Sequence, residues 1–215
     1  MYIKKLVRTI LFFALCPAWA GEQVVSFAEF SKSNLQGWEP HEFDGKTRYQ
    51  IVSLDNRTVL MASSEAAASG LVKKQRVDLN KTPFLNWSWR VENTLSPINE
   101  KSKKGDDYPA RLYIIVSGGL FFWKTKALNY VWASEQKTGS VWPNAYTSNA
   151  QMLAVESGGD RAGKWVHEKR NVKADLKKLF GEDIQYIDAL ALMSDTDNSK
   201  KTAISYYGDI FFSTE

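Results

Sequence analysis

Bulky apolar side chains recur at every second position in several short stretches of this chain. Leu85, Trp87, Trp89 and Val91 alternate with Asn86, Ser88 and Arg90; Leu112, Ile114 and Val116 stand opposite Arg111, Tyr113 and Ile115; and Leu128, Tyr130 and Trp132 repeat the arrangement. Successive side chains of a strand point to opposite faces, so a period of two gives each segment one face for a core and one for something else. Nine segments of this kind lie between turn signals: Gln50–Ser53, Thr58–Ala62, Leu85–Val91, Arg111–Ser117, Leu128–Ala133, Gln151–Val155, Trp165–Val172, Ile187–Met193 and Ala203–Phe212. Leu71–Leu79 reads as a further strand, and the Ala-rich Ser63–Ser69 before it as a connecting loop. So many short strands predict an all-β, antiparallel β-sandwich.

A helical period is found in one place. Leu176, Leu179 and Phe180 are spaced three and four apart within Val172–Phe180, and Gly181 can take the left-handed position that closes a helix. One short helix is therefore expected there. Two polar segments, Asn99–Asp107 and Ser194–Lys201, separate predicted strands and are expected at the surface.

Composition changes this picture at the N-terminus. Residues 1–20 carry Lys4, Lys5 and Arg8, an apolar run over 9–16, then Pro17 and the small-residue pattern Ala18, Trp19, Ala20. That is the order of an export signal cleaved after Ala20, and the apolar run is too short to span a membrane. Residues 21–215 are then expected as one domain with no membrane span, periplasmic or secreted. Three of the 28 basic residues belong to the signal, leaving 25 Lys and Arg against 24 Asp and Glu, so the basic net charge of +4 belongs mostly to the signal. A near-neutral mature chain gives no electrostatic footprint for nucleic acid. The single cysteine, Cys16, also lies in the signal, which leaves no disulfide or thiol chemistry.

Formal motif matches fail on chemistry. Gly158, Gly163 and Lys164 have P-loop spacing, but Trp165 stands where a magnesium-binding hydroxyl is needed and a strand follows in place of a helix, so a Gly-rich hairpin turn is expected. His167 and Glu168 begin like a zinc-protease motif, yet Asn171 occupies the second histidine position. With His41 and His167 the only histidines, neither zinc nor a Ser-His-Asp arrangement has support.

Three groups of residues remain as candidates. Asp195, Asp197 and Asn198 place side-chain oxygens at close spacing in a tight loop, which suits an Asx-turn accepting local N–H groups or, as the alternative, a structural calcium ion. Trp123, Trp142 and Tyr146 lie among turn-like neighbours, where rings are free to stack on a sugar. Asp107, Arg111 and Asn144 are polar partners for such a ligand, although Asp107 and Arg111 can instead form an ion pair that fixes a corner of the fold. As acids, Asp107, Glu168, Asp195 and Asp197, with Arg111 or Tyr207, also supply the groups a polysaccharide hydrolase or lyase would need.

Residues 35–38 (Leu-Gln-Gly-Trp), 68–71 (Ala-Ser-Gly-Leu), 87–91 (Trp-Ser-Trp-Arg-Val), 105–113, 128–132, 165–170, 195–198 (Asp-Thr-Asp-Asn) and 206–210 (Tyr-Tyr-Gly-Asp-Ile) together resemble a bacterial exported family catalogued as domain of unknown function 3047. That resemblance implies export and carries no established activity. An opening Gly37-Trp38 segment and the closing strand through Phe212 also look like the jelly-roll, galactose-binding-like sandwiches of carbohydrate-binding modules. This second resemblance implies a noncatalytic partner surface for a glycan or cell-envelope component, with Asp107, Arg111, Trp123, Trp142, Asn144 and Tyr146 on it.

Overall fold

The computed structural model describes residues 23–215, so the expected export signal lies outside the described residues. Two seven-stranded sheets pack face to face in a sandwich. The first sheet contains β1 (Val24–Ala28), β3 (Arg48–Leu54), β4 (Arg57–Glu65), β6 (Phe84–Val91), β11 (Val166–Asn171), β13 (Thr202–Tyr207) and β14 (Ile210–Ser213). The second runs in the order β2 (Trp38–Asp44), β5 (Ala68–Asp78), β12 (Tyr186–Asp195), β7 (Tyr108–Val116), β8 (Lys126–Ala133), β10 (Ala150–Ser157) and β9 (Val141–Pro143). Pairing is antiparallel throughout except between β8 and β10, which run parallel.

The two-residue period decides the core. Leu85, Trp87, Trp89 and Val91 from the first sheet meet Leu112, Ile114, Leu128, Tyr130 and Trp132 from the second in one buried cluster. Trp87 stacks on Tyr130 across the sandwich with ring centroids 5.3 Å apart, and Trp89 lies 6.0 Å from Trp132. The predicted helix is α1 (Val172–Phe180), capped by Asn171, whose Oδ1 accepts the Ala174 N–H at 2.9 Å, and closed by Gly181 at φ +71°.

Several local expectations are corrected. The Ser63–Ser69 loop is mostly strand: β4 and β5 are separated only by Ala66 and Ala67, and Ala66 takes a positive φ of 46° to make the turn. The Gly158–Lys164 segment is a turn but not a hairpin, because β10 and β11 belong to different sheets and the segment crosses between them. The closing strand is broken at Gly208 and Asp209. Ala203, Ser205 and Tyr207 are buried before the break, Ile210 and Phe212 after it, so one extra residue moves the inward face from odd to even positions. Gly208 sits so close to β6 that a Cβ there would come within 2.3 Å of Ser88 Oγ.

The polar loops expected at the surface are partly buried. Glu100, Asp106 and Asp107, and likewise Ser194, Asp195 and Thr196, are all nearly inaccessible to solvent. Burying them is tolerable because donors meet them. Glu100 alone accepts the backbone N–H groups of Ser134, Glu135 and Gln136 at 2.6, 3.2 and 3.0 Å.

A groove on the outer face of the second sheet

The face of the second sheet turned away from the core is built from the other half of the alternation. Cross-strand pairing sets its residues in rows: Gly70, Met193, Arg111 and Val131 form one, and Val72, Ala191, Tyr113 and Asn129 the next. Gly70, Ala191 and Ala127 are small, and they leave a depression between larger neighbours. A cavity of about 340 Å³ opens over Gly70, Val72, Ile115, Ala127 and Ala191, and a second of about 450 Å³ over Arg111, Asn129, Asn144, Tyr146 and Asp195. Phe43, Tyr113 and Met193 line both, so the two form one groove, apolar at one end and charged at the other.

The charged end is organised around Arg111 on β7. Its Nε donates to Asp195 Oδ1 at 3.0 Å and its Nη2 to Asp195 Oδ2, a bidentate pair between β7 and the end of β12. Nη2 also donates to the Asp106 carbonyl and Nη1 to the Tyr113 hydroxyl at 3.1 Å. Beneath it lies the ring of Tyr108, 4.1 Å from the guanidinium carbon. Burial works against the charged guanidinium, but Asp195, Tyr113 and Asp106 outweigh it and hold Arg111 well above the usual arginine range. Burial pushes the Tyr113 hydroxyl up to about 12, with Arg111 opposing the shift.

Behind this pair stands Asp107, fully buried. One oxygen accepts the backbone N–H and the Nδ2 of Asn198 at 3.2 and 3.1 Å, and the other accepts the Ser199 N–H at 2.5 Å. Asp107, Asp195 and Asp197 offer carboxylate oxygens within 4.8 Å of one another, close enough to hold a hard cation. Asn198 bridges two of them by donating to Asp107 and, at 3.2 Å, to Asp197. Burial, then the neighbouring Asp107, raises the Asp197 carboxyl above its ordinary range. Burial also raises the Tyr146 phenol, and the charges of Asp106, Asp197 and Asp107 add to the shift, a sign of negative potential over this end of the groove.

The candidate residues named from sequence therefore divide. Arg111, Asn144, Tyr146, Asp195, Asp197 and Asn198 line the charged cavity, and Asp107 supports it from behind. In the alternative left open for Asp107 and Arg111, a structural ion pair, Arg111 takes Asp195 as its partner, and Asp107 organises the loop after β12. Trp142 is not a loop ring facing solvent: it lies on β9, 4% exposed, with its Nε1 donating to the Tyr108 hydroxyl at 3.3 Å and its ring stacked on Tyr108. It belongs to a small second core with Val131, Ala133, Met152 and Ala154 under the charged end. Trp123 is exposed on the β7 to β8 connection, outside both cavities, where its carbonyl accepts from Asn149 Nδ2 at 2.6 Å. Sequence reasoning missed Phe43 and Asn129. Phe43 is a two-thirds exposed ring on an edge strand at the junction of the two cavities, and Asn129 is a polar residue within the alternating Leu128–Ala133 segment. Position within that strand was the available signal, since Asn129 falls on the face opposite Leu128 and Tyr130.

Such a two-sheet sandwich, with a groove across the outside of one sheet, sets the architecture of the chain. Residues 36–211 match the family described as protein of unknown function (DUF3047), and the chain belongs to that family. Among solved structures it is similar to a carbohydrate-binding module of family 29, at a TM-score of 0.44 and 6% identity over 90% of this chain and 89% of that one. It is also similar to the K1 adhesin domain of Lys-gingipain from Porphyromonas gingivalis, at 0.41 and 10% over 89% and 96%. A third similar structure is the xyloglucanase domain of NopAA from Sinorhizobium fredii, at 0.40 and 9% over 80% and 91%. No curated protein sequence matches the chain. Among the described residues no helix is long and apolar enough to cross a membrane.

Proposed function

We propose that this chain is an exported, noncatalytic binding domain that holds a glycan or glycan-bearing cell-envelope component in the groove across its second sheet. The observation carrying this reading is the groove's make-up: a floor of small side chains, an exposed ring of Phe43 at its middle, and Tyr146, 57% exposed, at its polar end. Exposed rings such as Phe43 on the edge strand β2 and Tyr146 on the loop between β9 and β10 gain by covering the apolar face of a sugar, and the surrounding amide and carboxylate groups suit its hydroxyls. A hydrolytic reading needs carboxyls free to exchange protons with substrate. Here Asp195 is held by Arg111 and Asp107 by Asn198 and Ser199, while Glu168 lies on β11 in the other sheet and lines neither cavity of the groove, which leaves Asp197 as one acid of the four where a pair is needed. Tyr207 is buried and donates to the Met193 carbonyl at 2.9 Å.

Export rests on residues 1–20. The exported protein should begin at Gly21 when its N-terminus is sequenced. Screening the mature protein against an array of bacterial and plant glycans tests the binding: retention that is lost in Phe43→Ala and Tyr146→Ala is the expected result, and a blank array together with blank cell-wall pulldowns would overturn it.

A further inference from the structure

The charged end of the groove has a composition that selects among glycans. Four carboxylates, those of Asp44, Asp106, Asp195 and Asp197, line the cavity with a single guanidinium, Arg111, a formal excess of three negative charges. Arg111 does not offset this for an incoming anion. Four of its five N–H groups are already engaged, by Asp195 twice, the Asp106 carbonyl and the Tyr113 hydroxyl, so it has no pair of donors left for a second carboxylate or a sulfate. Two exposed lysines stand at the rim, where solvent screens them: Lys200 approaches Asp44 at 4.0 Å, and Lys103 Nζ lies 5.2 Å from the centre of the Tyr146 ring.

An independent observation comes from the floor. Asn129 is 1% exposed and its Nδ2 reaches the Gln151 carbonyl at 3.5 Å, yet its Oδ1 is buried with no hydrogen-bond partner. A buried amide oxygen left unpaired is costly, and such groups are usually met by a donor from protein, water or ligand. This one stands in the wall of the same cavity as the four carboxylates. Negative charge in a cavity that an orphan acceptor also lines favours a ligand group that is positively charged and donates only. An ammonium group, with three N–H donors and no acceptor, has that chemistry.

We propose that the charged end of the groove binds the free ammonium group of an amino sugar, Asn129 Oδ1 accepting one of its N–H groups and the aspartates supplying the charge. This rests on the glycan-binding reading of the groove and specifies its ligand as a glycan with unacetylated hexosamine. Uronic or sulfated chains are disfavoured by the carboxylates, and neutral chains gain hydroxyl hydrogen bonds from them without the charge attraction.

The test is titration calorimetry of the whole mature chain with three oligosaccharides of one linkage and length, built from glucose, glucosamine and N-acetylglucosamine. The glucosamine chain should bind about tenfold or more tightly than the glucose chain, with the advantage shrinking as salt rises. Asp44→Asn should narrow the ratio of the two affinities. Its position on an edge strand, with the side chain mostly exposed, keeps the substitution away from the core. Asn129→Leu should narrow the ratio as well, and circular dichroism would show whether that buried change leaves the sheet intact. Equal affinity for the glucose and glucosamine chains, or for the glucosamine and N-acetylglucosamine chains, overturns the ammonium assignment and leaves the groove reading standing. Absence of binding to all three, with a blank glycan array, removes both.

Discussion

Arg111 and Asp195 lie 84 residues apart in the chain and meet as a buried, bidentate ion pair between neighbouring strands, Nε to Oδ1 at 3.0 Å. The register of β7 against β12 shifts between Met193 and Asp195, and the Tyr207 hydroxyl fills in beneath that shift, accepting the Arg111 N–H at 3.3 Å and donating to the Met193 carbonyl. The pair thus ties the outer groove to the backbone irregularity that shapes it.

Removing one partner leaves a buried charge alone. Arg111→Ala or Asp195→Ala should each lower unfolding stability by about 3–5 kcal/mol, whereas Arg111→Met with Asp195→Leu should recover much of that loss. Urea unfolding midpoints decide it: if either single variant matched the wild-type midpoint, the pair would carry none of the structural weight assigned to it.

Phe43 and Trp142 should separate cleanly. Phe43→Ala removes an exposed ring and should change the melting temperature little while weakening glycan retention. Trp142→Ala empties a buried site against Tyr108 and should cost about 3–5 kcal/mol of stability. Parallel thermal melts and affinity electrophoresis give both readouts, and the reverse assignment of losses would contradict the placement of these rings.

Glu168 makes stability depend on pH. Burial, then the nearby Glu156, raises its carboxyl from the ordinary 4.5 to about 7, so the native state binds this proton more tightly than the unfolded chain. Between those two values the native state carries more protons, and stability from this group falls as pH rises, the loss being complete above the native value. Glu168→Gln should therefore stabilise the protein at pH above 7 by on the order of 2 kcal/mol, after allowing for its partial solvent access, and have little effect below pH 4.5. Melting curves across that range would show a pH-independent difference if the side chain titrated normally.

Gly105 places the two aspartates that open β7. A Cβ there would stand 2.5 Å from the Asn99 carbonyl oxygen and 2.7 Å from two further backbone atoms of Asn99, which cannot swing away as a side chain can. Gly105→Ala should cost about 1–3 kcal/mol and weaken glycan binding by displacing Asp106 and Asp107. Unchanged stability together with unchanged binding would show that the loop absorbs a methyl group freely.

Much of the fold was legible in local pattern. Leu85 to Val91 and Leu128 to Trp132 alternate as strands packed on one side must, and the helix at Val172–Phe180 carries its own cap and stop in Asn171 and Gly181. Less of the site was legible. Arg111, Asn144, Tyr146, Asp195, Asp197 and Asn198 do come to one cavity, but Phe43 falls in none of the strands predicted from sequence, and Trp142 reads there as a loop ring.

By itself the amino-acid order determined which side chains share a face of each strand, because that follows from backbone geometry over a few residues. Tertiary structure alone decided which face stayed open, which acid met Arg111, and where the closing strand shifts its inward face at Gly208. Those outcomes depend on pairing between segments far apart in the chain, whose register sums many weak contacts that no single stretch contains.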